Sequence, residues 1–219
     1  MKIKYLGHSC FMITSDAGNK VITDPYITGA PWPPLKYGEI KESADIVTVS
    51  HEHKDHSNVA SIQGSPQVLK RKMTTVIKEM EFKGIPTHHD NVGGKVRGDN
   101  TVFIFEVDGV RVCHLGDLGH LLSAEQVAEL GRVDILLVPT GGFYTIDAEV
   151  ATQLCDKVKP KVIIPMHYKT DKSRDTELDG VSRFLEGKEN VSKLNVSEVE
   201  FTPGDLPART QIMVLESAL

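Results

Sequence analysis

A short apolar segment that ends directly at a cluster of metal-ligand residue types limits the possible fold more than any other feature of this sequence. The segment ADIVTVS has the pattern of a buried β-strand, and HEHKDH follows it without a break. Layered α/β proteins bind ligands beyond the carboxyl ends of their strands, and imidazole and carboxylate groups bind zinc, manganese and iron. The spacing predicts that one pair of side chains turns towards one ion and the next pair towards a second: His51 and His53, then Asp55 and His56.

Two later apolar segments end in the same way. Asp117 follows RVCHLG, and His167 follows VIIPM. Taken alone, Asp117 fits a turn cap equally well, and His167 is better explained as a hydrogen-bonded core histidine. Because HEHKDH also follows a buried strand, convergence of the three segments at one sheet edge is the simpler interpretation.

The pattern of apolar residues predicts strands in the first half of the chain and strands alternating with helices in the second half. KIKYLG, CFMITS and KVITDP have the character of strands, whereas SAEQVAELG and DAEVATQLCDKV have helical periodicity, with Ser123 and Asp147 as N-caps. This order indicates a layered α/β protein with sheets inside and helices outside. Since no long Gly/Ser linker interrupts the chain, we expect a single domain over residues 1–219.

Composition narrows the class of partner and the compartment. Hydrophobic residues make up 40% of the chain and charged residues 25%, which is typical of a globular protein with a core. The net charge of −5 and the scattered lysines and arginines argue against a nucleic-acid partner, so we expect a small-molecule substrate, which could be anionic. The three cysteines lack disulfide or zinc-thiolate spacing. Without a signal-peptide pattern or an apolar run near ~18 residues, a cytoplasmic protein with no membrane contact is expected; a homo-oligomer stays open.

Five motifs resemble those of the metallo-β-lactamase superfamily: GHSCF, ITDP, SHEHKDHSN, HLGDLGH and IPMHYKT. They are most similar to its small-hydrolase branch, which includes ascorbate-6-phosphate lactonase-like proteins, and the match extends over nearly the whole chain. The resemblance implies a four-layer αββα sandwich of two mixed β-sheets, with a dinuclear metal site along one edge. It also implies a ligand set for each ion and a bridge between them: His51, His53 and a third histidine for the first ion, Asp55, His56 and His167 for the second, and Asp117 as the bridge.

The third histidine of the first ion is either His88 or His89. The pattern of this branch, an apolar strand and then a histidine followed by a small or acidic residue, fits His89 followed by Asp90 better. His114 precedes the Gly-Asp turn by two residues and is expected to pack beside its strand rather than to bind metal.

The resemblance and the residue types together predict metal-dependent hydrolysis. Two divalent ions, with zinc favoured and manganese or iron as alternatives, would lower the pKa of a shared water and polarise a small ester, lactone or phosphoester. Asp55 is expected to orient the resulting hydroxide. His8 and His120 are candidate proton donors, although a histidine bonded to backbone fits each of them equally, and Tyr168 is a third candidate. Asp24 is expected to form a turn rather than to act in catalysis.

Aromatic and basic residues in loops are expected to frame the substrate pocket. A solvated surface position is the preferred interpretation for Arg97, as it is for most exposed basic residues. The aromatic candidates are Trp32, Tyr37, Phe143 and Tyr144, and the candidates for pairing with a substrate anion are Lys54, Arg97 and Lys169.

Three other functions are alternatives to hydrolysis. An iron-dependent redox enzyme of the same fold typically has a carboxylate where His53 stands in its di-iron form, and a mononuclear form would not need the second ligand group. A nuclease of this fold needs large inserts and a basic surface that this chain lacks. A metal-binding domain without catalysis does not account for a complete ligand set at an open edge.

Overall fold

Two mixed β-sheets packed face to face form the core of the computed structural model, which describes residues 1–29, 34–173 and 177–219. The strands, in chain order, are β1 (Lys2–Gly7), β2 (Cys10–Thr14), β3 (Lys20–Thr23), β4 (Ile46–Val49), β5 (Gln67–Lys70), β6 (Met73–Ile77), β7 (Met80–His88), β8 (Asp99–Val107), β9 (Val110–His114), β10 (Ile135–Pro139), β11 (Val162–Met166), β12 (Val191–Lys193), β13 (Glu198–Glu200) and β14 (Gln211–Val214). The helices are α1 (Ala124–Leu130), α2 (Ala148–Val158) and α3 (Val181–Leu185).

The first sheet has the strand order β13-β1-β2-β3-β4-β5. Its first four strands are antiparallel neighbours, and β3, β4 and β5 are parallel to one another. The second sheet has the order β12-β14-β11-β10-β9-β8-β7-β6, parallel from β12 to β9 and antiparallel from there to β6. Both sheets are therefore mixed.

The main core lies between the inner faces of the two sheets. Side chains alternate between the two faces of a strand, so every second residue of β1 and β2 points inwards, as Ile3, Tyr5, Phe11 and Ile13 show. They belong to one buried cluster with residues of the second sheet such as Phe105. Strands β10 and β11 are buried on both faces and are almost wholly apolar for that reason.

The helices cover the outer face of the second sheet. In α1, Ser123 accepts a hydrogen bond from the backbone of Gln126, and the Gln126 side chain accepts one from the backbone of Ser123, which is the predicted capping box. Asp147 caps α2 through the backbone N–H of Val150. Within the described ranges, no helix has both the length and the apolar character needed to span a bilayer.

The outer face of the first sheet has a different cover. Leu6 and other buried residues of this face pack against the loop that joins β3 to β4, which contributes Tyr26 and Tyr37, and against a 3₁₀ turn at Val59–Ser61. The loop contains several prolines and glycines and no helical periodicity. Its described parts, residues 24–29 and 34–45, form a layer of irregular backbone where the four-layer scheme has helices. Trp32, expected at the pocket, lies outside the described residues.

The strand directions bring the carboxyl ends of six strands to one edge of the sandwich. Strands β1, β3 and β4 run in the same direction in the first sheet, and β7, β9 and β11 share a direction in the second. Their carboxyl ends therefore lead into the residues singled out in the sequence: His8, Asp24, the 51–56 motif, His89, Asp117 and His167.

Candidate metal centre

One carboxylate oxygen of Asp117 lies at the centre of a ring of imidazole nitrogens. Its Oδ2 is 3.1 Å from Nε2 of His89, 3.2 Å from Nε2 of His56 and 3.3 Å from Nε2 of His167. Nε2 of His51 is 3.8 Å away. A single oxygen has too few lone pairs to accept a separate hydrogen bond from four rings, so the arrangement is better suited to cations placed between these atoms.

The remaining predicted ligands complete two groups around this oxygen. Nε2 of His51 and Nδ1 of His53 are 3.0 Å apart, and Oδ2 of Asp55 is 3.6 Å from Nε2 of His56. In each group, one potential ligand atom per residue lies within 4.8 Å of every other: His51, His53 and His89 in one, and His8, Asp55, His56 and His167 in the other. The structure thus brings all the predicted ligands together, and their binding of metal stays a prediction.

Asp24 fixes the protonation pattern of two of these rings. Its Oδ2 accepts hydrogen bonds from Nδ1 of His56 at 2.9 Å and from the hydroxyl of Ser50 at 2.5 Å. The Ser50 oxygen in turn accepts from Nδ1 of His51 at 2.9 Å. Both rings therefore carry their proton on Nδ1 and direct the Nε2 lone pair at the centre, which is the tautomer that binds metal.

The expectation that Asp24 only forms a turn is therefore too limited. The residue is fully buried and, besides the two side-chain bonds, it accepts the backbone N–H of Ser50 at 2.7 Å. A carboxylate directly after an apolar strand, at the same edge as the histidines, was the only indication of this in the sequence.

Several residues at the site hold the left-handed backbone conformation that side chains other than glycine rarely adopt. The φ angles are +56° at His8, +40° at Asp24 and +49° at His167. Each of these residues directly follows a strand, so this conformation turns the chain sharply and aims its side chain along the sheet edge. The carbonyl oxygen of His8 accepts the hydroxyl of Tyr5 at 3.0 Å and the N–H of His167 at 3.0 Å, which holds the turn.

Asp117 is positioned by a close approach of backbone to side chains. Gly116, at φ +55°, has no room for a Cβ, which would collide with the side chains of Asn100 and Ser50. The Asn100 side-chain oxygen accepts the N–H of Asp117 at 3.0 Å. The glycine of HLGD is required because the two sheets meet at this point.

The pKa values of the buried histidines indicate that a positive charge is stabilised next to Asp117. Burial lowers the pKa of His51 to about 3 and that of His8 to about 4, so both rings are neutral near pH 7. Burial acts in the same direction on His56, but the carboxylates of Asp117 and Asp55 outweigh it and raise the pKa of that ring well above its ordinary value. The two carboxylates thus favour a positive charge among these rings, and a bound cation would take the place of the extra proton on His56.

The donor set fits a pair of divalent metal ions. Imidazole nitrogens and carboxylate oxygens with no thiolate are the donors found in zinc sites and in mixed nitrogen and oxygen sites for manganese and iron. Nε2 of His56 and Oδ1 of Asp117 are buried and have no hydrogen-bond partner among the described residues. Buried polar atoms in proteins rarely lack a partner, and an ion would supply one.

Comparison with known proteins decides the family. Residues 2–167 match the family described as Beta-lactamase superfamily domain. The chain belongs to this superfamily. A "UPF0173 metal-dependent hydrolase" from Archaeoglobus fulgidus is 31% identical over 94% of this chain and 97% of the relative, and one of the same name from Carboxydothermus hydrogenoformans is 33% identical over 78% and 85%.

A solved structure confirms the fold expected for the superfamily. A protein from Thermotoga maritima, described as a candidate Zn-dependent hydrolase of the metallo-beta-lactamase superfamily, matches with a TM-score of 0.80 at 36% identity and covers 98% of both chains. The resemblance inferred from the motifs and the sandwich of two mixed sheets are both confirmed.

In this member of the beta-lactamase superfamily, a cavity of about 580 Å³ adjoins the metal-ligand cluster. Of the residues expected to frame it, Tyr144, Lys54 and Arg97 do line it. Arg97, for which a solvated surface position was the preferred interpretation, is half-buried and lines the cavity wall. Tyr37 is instead buried beneath the site, where a Cβ at Gly7 would meet its ring, and Lys169 is exposed outside the cavity.

Two of the three candidate proton donors lie away from the cavity. Nε2 of His120 accepts the backbone N–H of His88 at 3.2 Å, and its Nδ1 donates to the carbonyl oxygen of Leu121 at 3.0 Å. Both ring nitrogens of His120 are thus bonded to backbone, and the geometry does not support a proton-donor role. Tyr168 is buried outside the cavity. His8 does line the cavity, with its Nε2 3.2 Å from Oδ2 of Asp55.

The two adjacent histidines differ in the way the sequence pattern indicated. His89 is buried against Asp117, whereas the side chain of His88 is 43% exposed and faces Asp99, 3.4 Å away. His114 packs in the core, with Nε2 2.8 Å from the carbonyl oxygen of Ser9. Geometry therefore favours His89 as the ligand.

Sequence reasoning gave no role to Asp90, which organises the loop after His89. Its two carboxylate oxygens accept four backbone N–H groups, from Val92, Gly94, Val96 and Arg97. Burial alone would raise the pKa of Asp90, but these four donors outweigh it and hold the pKa well below its usual range.

Proposed function

We propose that this chain is a hydrolase that uses two divalent metal ions, zinc being the favoured metal, to cleave a small ester, lactone or phosphoester. The observation that carries the proposal is the convergence of four histidine nitrogens on Oδ2 of Asp117, beside a cavity large enough for a small molecule. Family membership supports the reaction class, and the relatives named above are described as metal-dependent hydrolases.

Each of the two ligand groups would hold one ion. His51, His53 and His89 would hold the first and Asp55, His56 and His167 the second, with Asp117 between the two groups. Bound at these positions, divalent ions supply a water of lowered pKa and polarise the oxygen of the scissile carbonyl or phosphoryl group.

The side chains around the ligands set orientation and proton position. Asp55 faces the cavity and can accept a hydrogen bond from the attacking water, which orients it. Nε2 of His8 lies 3.2 Å from the Asp55 carboxylate, so this ring is positioned to hold Asp55 or to touch the substrate. The hydrogen bonds that His56 donates to Asp24 and that His51 donates to Ser50 keep both rings in the ligating tautomer without any rearrangement during turnover.

Metal analysis followed by a substrate panel tests the proposal. Protein purified without chelator and then incubated with zinc or manganese should hold two ions per chain, and it should hydrolyse at least one chromogenic ester, lactone or phosphodiester. Asp117→Asn should lower kcat more than ~100-fold, because it weakens the bridge between the ions. The matched control is Asp156→Asn, on the exposed face of α2.

Two results would contradict the proposal. A stoichiometry that stays at one ion or below shows that the site is not dinuclear. Undiminished turnover in metal-free protein shows that the ions do not drive hydrolysis.

A further inference from the structure

The Arg97 side chain occupies an unusual position in the cavity wall. Its guanidinium lies 5.7 Å from the ring centroid of Phe143 and 5.6 Å from that of Tyr144, within cation–π range of both. Among residues 1–29, 34–173 and 177–219, no carboxylate forms an ion pair with it and no acceptor binds its N–H groups. The two aromatic rings pack against the planar group, and its N–H groups have no acceptor among the described residues.

The backbone on both sides of this contact is fixed. Four N–H donors, one of them from Arg97 itself, bind Asp90 and brace the loop that carries Arg97. On the opposite side, Phe143 has a φ of +51°, which is strained for a bulky residue, and its side chain is 56% exposed. A strained exposed aromatic and a braced arginine that meet in this way indicate an ordered recognition element rather than a solvated charge.

Within the described part of the cavity wall, no carboxylate is left to pair with Arg97. The carboxylates that line it, within the described part of the chain, are Asp55 and Asp117, and both are assigned to the metal ions. Two bound divalent ions would outweigh the charge of these two groups, and Lys54 adds a second cation at the wall. With the proposed ions in place, the cavity would be positive within a chain of net charge −5 and would attract anions.

Another part of the cavity wall is suited to an apolar portion of a ligand. Leu35 and Leu178 line the cavity together with the Tyr144 ring. A ligand that reaches from the metal-ligand cluster to Arg97 would place its middle part against these side chains.

We propose that the substrate is an anion, and that Arg97 binds its carboxylate or phosphate group, remote from the bond that is cleaved. This inference rests on the proposed function, because it concerns the same cavity. Arg97 is a specificity-determining residue: its planar fork matches two oxygens of a carboxylate or phosphate, while Phe143 and Tyr144 hold the fork from behind.

Kinetics with paired substrates test the role of Arg97. The probes are two 4-nitrophenyl esters of equal chain length, the monoester of glutaric acid and the ester of pentanoic acid, which differ in one terminal carboxylate. Arg97→Gln should raise KM for the anionic ester on the order of ten- to a hundredfold, leave kcat within about twofold and leave the neutral ester unaffected. Arg97→Lys keeps the charge but loses the fork, so it should recover only part of the loss.

The control variant is Arg209→Gln, which makes the same change of net charge. Arg209 is exposed and precedes β14, which runs parallel to β11, so it lies at the sheet edge opposite the site. It should leave both esters unchanged. Equal changes of KM for both esters in Arg97→Gln, or no change for either, overturn the inference.

Binding without turnover separates this inference from the proposed function. Calorimetric titration of the metal-loaded protein uses phenylacetate, phenylphosphonate and neutral phenylacetamide. Wild type should bind at least one anion more tightly than the amide, and Arg97→Gln should lose that preference. The anion whose affinity falls more in Arg97→Gln identifies carboxylate or phosphate as the natural group.

If the protein hydrolyses no ester but shows this pattern, the proposed function fails and the anion site stands. If Arg97→Gln binds both anions as wild type does, the anion site fails even when hydrolysis is found.

Discussion

Asp24 illustrates how much of the proposed metal site is determined by a residue outside the two proposed ligand groups. One buried carboxylate accepts a hydrogen bond from His56 directly and orients His51 through the Ser50 hydroxyl. The two rings belong to different ligand groups, so a single side chain sets the tautomer of one ligand for each proposed ion.

Asp24→Asn should therefore weaken metal binding at both positions. The amide cannot accept from His56 and Ser50 as a carboxylate does, and loss of such partners typically costs about 10- to 100-fold in metal affinity. Competition with a chromogenic chelator measures the change, with Asp156→Asn as the exposed control. Wild-type affinity in a folded Asp24→Asn protein would show that the tautomers are fixed in another way.

The adjacent histidines give a second prediction at this scale. His89→Ala should lose at least one equivalent of bound metal, because Nε2 of His89 faces Asp117 from within the site. His88→Ala should retain both, since its ring is exposed and faces Asp99. Elemental analysis of the two purified variants measures the bound metal. Loss of metal in His88→Ala with retention in His89→Ala would make His88 the ligand.

At the residue scale, the sequence predicted the ligand candidates but not the residues that support them. HEHKDH, Asp117 and His167 were found because metal-ligand types directly follow apolar strands, which is a local pattern. The partners of Asp90 are close in sequence, but an acidic residue in a loop does not by itself indicate them. The role of Asp24 and the position of Arg97 depend on partners that only the fold brings near, such as Ser50 for Asp24 and Tyr144 for Arg97. No local pattern contains that information, and an arginine in a loop is solvated in most proteins.

At the scale of elements, the sequence predicted the starts of the helices α1 and α2, because capping residues and the groups they bind are close together in the chain. The capping box of α1 and the Asp147 cap of α2 bind backbone groups three residues away, so the sequence contains both partners. The strand β12 has three residues and pairs with β14 across the sheet, so it is defined by tertiary contact alone. The same holds for the loop that covers the first sheet, whose packing depends on the apolar face beneath it.

The amino-terminal edge of the sandwich offers a prediction on pH. Asp45, at the start of β4, accepts the side chain of Lys78 at 2.5 Å and the backbone N–H of Lys20 at 2.8 Å. Lys78 lies in the turn between β6 and β7, so this ion pair joins the two sheets. These bonds hold the pKa of Asp45 below its ordinary value of 3.8.

A lowered pKa in the folded state means that Asp45 stabilises the fold above about pH 4, and that this contribution is lost as the pH falls through the lowered pKa. Asp45→Asn should therefore lower the free energy of unfolding at pH 7 by ~1 kcal/mol or less, because the pair is partly exposed. The difference from wild type should shrink in urea titrations as the pH falls below about 4. A difference that is constant from pH 7 to pH 3 would exclude this ionic contribution.

At the scale of the whole molecule, the proposed site joins the two sheets. The first sheet supplies the ligands of the 51–56 motif, and the second supplies His89, Asp117 and His167. An ion bound in either group therefore has ligands from both sheets, and it binds only when they are packed together.

Removal of metal should accordingly lower thermal stability. At a free ion concentration about a thousand times Kd, binding stabilises the folded state by ~4 kcal/mol, which for a chain of this size corresponds to a change in Tm on the order of 10 °C. Scanning calorimetry before and after chelator treatment measures it, with re-addition of zinc as the test of reversibility. His51→Ala/His89→Ala protein should show a much smaller change, and an equal one would place the stabilising ion elsewhere.

The order of the ligands along the chain has a consequence for biosynthesis. His51, His53, Asp55 and His56 leave the ribosome first, whereas His167 emerges only after the strand β11 has been made. A nascent chain can hold an ion loosely through its early histidines, but the complete set exists only once the second sheet has formed against the first. Full loading of the proposed site would therefore occur late in biosynthesis, on molecules that have already folded.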